Sequence, residues 1–104
     1  MKQWRMFMAN YNPSGDTTDA ATAFAYGISN TMLQVLKQCD GDFSRASILH
    51  QAENLRDYVN PMTLPGITIN TSASDHRPIK AMQLQRWDGK TWVRFGELIE
   101  GTAV

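Results

Sequence analysis

Asp75 and His76 are the one place in this chain where a carboxylate and an imidazole, the usual parts of acid and base chemistry, are adjacent. Neighbouring loop residues project in different directions and no nucleophile is evident beside them, so the pair reads as two loop contacts. His50 follows Leu49 in a helical pattern and reads as a partly solvated helix residue. Cys39 is the sole cysteine, which excludes an internal disulfide. Together with two histidines it also falls short of the four-ligand sets of structural zinc sites. Asp40 and Asp42 flank Gly41 without the spacing of a calcium loop, so turn and cap roles are expected. The chain has no Gly-x-Ser-x-Gly elbow, phosphate-binding glycine loop, His-Glu-x-x-His or Cys-x-x-Cys. The expectation is a protein that is not an enzyme and carries no metal or cofactor. Met1, Met6, Met8, Met32, Met62 and Met82 are too scattered to make one peptide-binding stripe.

These residues must be positioned by a small body. The length of 104 residues is that of one domain, and ten basic residues balance ten acidic ones. Zero net charge argues against electrostatic capture of nucleic acid or an anionic membrane. A hydrophobic fraction of 42% with four prolines and seven glycines is that of a chain that folds. There is no run of apolar residues long enough to span a membrane, and the first residues lack the order of a secretory signal.

Trp4, Phe7, Met8 and Tyr11 recur at helical spacing within a first helix from Lys2 to Asn10, and the cluster Asn12 to Asp16 ends it. No capping residue precedes its apolar stripe, which leads to the expectation that the chain is a piece of something longer. The pattern from Asp19 to Gln38 is the strongest helix signal, with Phe24, Ile28, Met32 and Leu36 on one stripe widened by Ala21, Ala25 and Val35. Ala20 to Gly27 is thin, so another backbone or a ligand could approach there. Ser44 caps a third helix with Ile48, Leu49, Ala52 and Leu55 facing the core, ending before Pro61. The second and third helices make a helical hairpin.

Ile67 to Thr71 is β-branched and alternating, which predicts a short strand. Met82 to Phe95 predicts an antiparallel hairpin around a type I′ turn with Asp88 and Gly89 at its centre. That turn would pair Trp87 with Lys90, Gln85 with Trp92, Leu84 with Val93 and Met82 with Phe95. Met82, Leu84, Val93 and Phe95 would share an apolar face, opposite Gln83, Gln85, Trp87, Trp92 and Arg94, where a guanidinium could stack on an indole. A two-stranded hairpin is marginal alone and its apolar face needs a cover.

Tyr11-Asn12-Pro13, the helix with Tyr26-Gly27, Ser44-Arg45, Leu64-Pro65-Gly66-Ile67, Asn70-Thr71-Ser72, Asp75 and Trp87-Asp88-Gly89-Lys90-Thr91-Trp92 form an ordered series of short strings. In that order, over about residues 2 to 98, the chain resembles the C-terminal portion of periplasmic solute-binding proteins. The family is that of the extracytoplasmic receptors of branched-chain amino-acid ABC importers, close to the leucine/isoleucine/valine-binding proteins. The resemblance implies an α+β fragment of a two-lobed, type I periplasmic-binding fold, about its last quarter, in a periplasmic setting. By the same resemblance residues 1 to 78 belong to the first lobe, and residues 79 to 104 to the hinge crossing and the end of the second lobe.

The residues that clamp a solute in such receptors lie mostly upstream of this segment. The resemblance implies that the first turn of the second helix faces the cleft, which nominates Asp19, Ala21 and Thr22 as ligand-binding positions with a shape role. The intact family implies a small-molecule solute and an ABC permease as partners. With both lobes incomplete, full ligand binding is not expected of this chain alone. Self-association is expected instead, as a two-fold homodimer whose copies complete each other's cores. A small stand-alone protein-protein interaction module is the alternative.

Overall fold

In the computed structural model, which describes residues 1–101, three helices are followed by one hairpin. In chain order these are α1 (Lys2–Tyr11), α2 (Ala20–Gln38), α3 (Arg45–Ala52), β1 (Ala81–Trp87) and β2 (Trp92–Glu100). The architecture is α+β with a two-stranded antiparallel sheet.

Helix α1 buries Trp4 and Met8, while Phe7 and Tyr11 stay exposed on the same stripe. Phe7 stacks obliquely on Tyr11 and on Tyr26 of α2, with ring centroids 5.2 and 5.1 Å apart, so this aromatic lane ties the two helices together. At the start of α2 the Asp19 carboxylate accepts the Ala21 N–H at 2.8 Å, and Lys37 lies in the last turn where the helix dipole favours a cation. Helix α3 starts on Ser44, whose hydroxyl accepts the Ser47 N–H at 3.2 Å. It ends at Ala52, so Leu55 is buried from the segment after the helix, and Leu49 faces outward. The α2 and α3 helices form the expected hairpin, held by the Gln38 amide donating to the Gln51 side-chain oxygen at 3.2 Å.

The core is small. Val35, Leu55 and Ile69 are buried together, with Ile48, Ala52 and Tyr58 packed around them. It uses only one residue of the apolar pattern on α2. Phe24, Ile28 and Met32 are 69%, 55% and 44% exposed, so the stripe expected to pack inward faces solvent. The inward face of α2 is instead Gly27, Asn30, Thr31, Gln34 and Val35. The reason is the neighbour that the chain supplies. The segment Asn60 to Thr63 reaches α2 through an amide side chain, and Gly27 lets it come close: a Cβ there would stand 3.2 Å from Met62 Cβ. Close approach at this thin part of the helix was legible in its small residues.

Ile67 to Thr71 is no strand, because its only bridge among the described residues is Tyr58 with Ile69. Its alternation survives, with Ile67, Ile69 and Thr71 all buried. The side-chain period of a strand needs only extended torsions, whereas a ladder needs a partner, and here a partner is present for one residue.

The β1/β2 hairpin departs from the expected register. Trp87 pairs with Trp92, Arg86 with Val93, Gln85 with Arg94 and Leu84 with Phe95, followed by an irregularity and the pairs Met82 with Ile99 and Ala81 with Glu100. The turn is a four-residue loop in place of the type I′ pair, since Gly89 has φ 101° but Asp88 does not adopt a positive φ. The Asp88 carboxylate accepts the N–H groups of Lys90 and Thr91 at 2.8 and 2.7 Å, which closes the wider loop. Partners from Leu84 to Trp87 therefore shift by two residues, and Met82 moves by four, from Phe95 to Ile99, beyond the irregularity; both shifts are even, which leaves face membership unchanged. Trp87 and Trp92 lie 5.6 Å apart by centroid on one face, and on the other the Arg86 guanidinium sits 5.9 Å above Phe95. The cation stacks on a phenyl ring, not on an indole.

The hairpin meets the helical part at its root. Gly101 N–H donates to the Lys80 carbonyl at 2.6 Å, and Gly66, at φ 85°, stands against Leu98. The result is a slab of 50 × 40 × 17 Å. Its radius of gyration of 16.1 Å exceeds the roughly 13 Å of a compact chain of this length. Its accessible surface of 7990 Å² compares with about 5,900 Å² for a compact monomer of its mass.

Candidate functional site

Asp19, Ala21 and Thr22 are brought together in the first turn of α2, where all three serve the helix end. The Asp19 carboxylate caps the Ala21 N–H, and the Thr22 hydroxyl donates to the Asp19 and Asp16 carbonyls at 2.8 and 3.2 Å. Just upstream the Asp16 carboxylate accepts the hydroxyl and N–H of Thr18 at 2.6 and 2.7 Å, which holds its pKa below the ordinary carboxylate value. The turn is exposed, and its polar atoms named here are occupied by one another. What it offers a ligand is the shape of a short methyl-bearing surface at Ala21.

Asp75 and His76 turn to different partners, as adjacent loop residues do. His76 Nε2 lies 3.0 Å from Glu53 Oε1. The Asp75 carboxylate is forked by Arg77, at 3.0 Å from Nε and 3.1 Å from Nη2, and its second oxygen also takes Lys80 Nζ at 3.1 Å. The Arg77 guanidinium, the Arg77 N–H and Lys80 together hold the Asp75 carboxyl far below its usual range. This cluster staples the segment that leads into β1, so a charge network fixes where the hairpin leaves the helical part.

Beside that staple lies a cleft of about 300 Å³ lined by Asp57, Gly66, Thr68, Asn70, Lys80 and Glu100, among others. Asp57 adopts φ 45° there and donates its N–H to the Asn70 side-chain oxygen at 2.9 Å. The cleft is at the small end of ligand-pocket volumes. A shallower surface of about 480 Å³ runs along α1 past Met1, Arg5 and Met6. Among the described residues no three His, Cys, Asp or Glu side chains stand together as a metal-binding group. Cys39 is buried and unpaired at the end of α2, as a small packed side chain.

Two polar residues that pattern reading passed over hold the segments after α3 against α2 and the end of α3. Buried Asn60 donates to the Gly27 carbonyl at 2.8 Å and the Thr31 hydroxyl at 2.9 Å, and its oxygen accepts the Met62 N–H at 2.9 Å. Buried Thr71 donates its hydroxyl to the Ala52 carbonyl at 2.6 Å and accepts the Leu55 N–H at 3.0 Å. In the sequence Asn60 is marked only as the residue before a proline, and Thr71 only as a β-branched residue. Tyr58, whose hydroxyl donates to the Asn30 carbonyl at 3.2 Å, has its pKa raised by burial and by the nearby Tyr26.

No family model, curated protein or solved structure matches the chain. No helix among the described residues is long and apolar enough to cross a membrane.

Proposed function

We propose that this chain is the C-terminal portion of an extracytoplasmic solute receptor serving an ABC importer of branched-chain amino acids or related small acids. In that role it works in the periplasm and contributes to a body that binds a solute and delivers it to the permease. The series of short strings from Tyr11 to Trp92 supports the reading. The observation that carries it furthest is the incomplete core: a helix with an uncharged apolar face and a hairpin without a cover are parts of a larger packed body. The first turn of α2 would then line the cleft by shape, through Ala21 and the capped Asp19 and Thr22. The groups that clamp an amino acid in such receptors lie mostly upstream of this segment, so the chain alone is not expected to bind the solute fully.

The test is to determine the coding sequence directly upstream and express it joined to this segment. Two α/β lobes that bind leucine, isoleucine, valine or a related acid are expected, while the 104 residues alone give no thermal shift with the same solutes. An upstream region without such lobes, or a joined protein indifferent to all of these solutes, overturns the reading. A second reading, a small protein-protein interaction module, draws on the same exposed face of α2. Tight binding of another protein by the isolated chain, with no lobes encoded upstream, would select it.

A further inference from the structure

Between Asp19 and Lys37, α2 carries no charged side chain, yet Phe24, Ile28, Met32 and Leu33 on it are exposed. Charge depletion with exposed large apolar groups is the composition of an interface centre and not of a solvated helix face. The hairpin presents a second exposed apolar face, with Met82, Leu84, Val93, Phe95 and Ile99 on one side, crossed near the turn by the Arg86 guanidinium stacked over Phe95. Among the described residues α2 and the hairpin make no substantial contact with each other. They match in length: Phe24 to Met32 spans about 12 Å of helix, and Met82 to Arg86 about 13 Å of strand.

The surface excess decides how much must be covered. The chain exposes roughly 2,000 Å² more than a compact monomer of its mass, and obligate homodimers bury about 1,000–2,500 Å² on each partner. Zero net charge sets no long-range repulsion between copies.

We infer that for the 104-residue chain by itself the occupant of both faces is a second copy, with α2 of one copy lying on the apolar face of the partner's hairpin and the reverse contact made about a two-fold axis. One symmetric arrangement covers both faces twice, which a helix-on-helix pairing would not do. The inference rests on surface and pattern and holds independently of any solute.

Sedimentation equilibrium of the full chain at micromolar concentration is expected to give a dimer. Ile28→Glu places a charge in the contact and is expected to raise the dimer dissociation constant at least about a hundredfold with the helical circular dichroism retained. A second measurement is independent of that variant's folding. Copies carrying Ile28→Cys mixed under mild oxidation with copies carrying Phe95→Cys should give the mixed disulfide as the main cross-linked product. A monomer at all concentrations, a dimer indifferent to a folded Ile28→Glu, or bridges only between two Ile28→Cys copies overturns the arrangement. If Ile28→Glu unfolds, the mixed disulfide alone decides. Solute titrations play no part in these outcomes, so a failed receptor reading leaves them untouched.

Discussion

Asn60 joins two segments that share no other side-chain amide: both its protons go to α2 and its oxygen to the turn that follows Pro61. Asn60→Ala leaves the Met62 N–H and the Gly27 carbonyl without this partner in a buried place, a loss of about 2–3 kcal/mol, checked by urea unfolding. Asn60→Asp keeps the acceptor but removes both donors, so it is expected to lose stability as well. The acid response belongs to Asp75. Arg77 and Lys80 lower its carboxyl pKa in the folded chain, so the unfolded chain takes up this proton first as pH falls. The contribution is therefore fully present above about pH 4 and is lost as pH drops below that value toward the folded-state pKa. Asp75→Asn should remove this part of the acid sensitivity, read from circular dichroism during an acid titration.

At the level of elements the hairpin shows how a turn sets pairing. The Asp88 carboxylate captures two backbone N–H groups across a four-residue loop, and the strands from Leu84 to Trp87 re-pair by two residues with their faces intact. Nuclear Overhauser contacts are expected between the Trp87 and Trp92 rings and between Leu84 and Phe95, with none directly opposite between Leu84 and Val93. Trp92→Ala is expected to cost about 1 kcal/mol of hairpin stability through the lost indole pair, visible as a lower melting point and a changed near-ultraviolet spectrum. Helix α2 carries the opposite lesson. Its boundaries, cap and last-turn cation follow from local residues, but the face it buries depends on what the chain lays beside it. Asn60 and Gly27 bring the 60–63 segment to the small, polar side, and Phe24, Ile28 and Met32 are left outward.

Taken whole, the molecule has one tight region and one loose one. Around Leu55, Tyr58, Ile69 and Thr71 the backbone is cross-bonded: Ile69 N–H donates to Tyr58 O at 2.8 Å, Tyr58 N–H returns to Ile69 O at 3.1 Å, and Thr71 N–H reaches Leu55 O at 3.1 Å. Amide hydrogen exchange is expected to be slowest there and fastest along the outer edges of β1 and β2, which have no neighbouring strand among the described residues. Equal protection of both regions would show that something covers and pairs the hairpin edges as well. The surface excess follows from the same division, because the helical part closes a core of few residues while α2 and the hairpin each leave an apolar side open.

The sequence by itself determined the three helices, the caps at Asp19 and Ser44, the hairpin and the two sets of side chains on its faces. Each depends on residues within a turn or two of one another, and local torsions and periodicity are enough to specify them. It also showed the alternation of Ile67 to Thr71, from which a short strand is expected. Only the tertiary structure decided that this segment has one bridge and no ladder, that α2 turns its apolar stripe outward, and that Asn60 and Thr71 are the buried clamps. Those outcomes depend on which distant segment is available as a neighbour, and hydrogen-bond partners far apart in the chain leave no spacing to read. The strand pairing fell between the two: the loop residues were visible, but whether Asp88 would adopt a positive φ or accept two N–H groups depended on the closed hairpin.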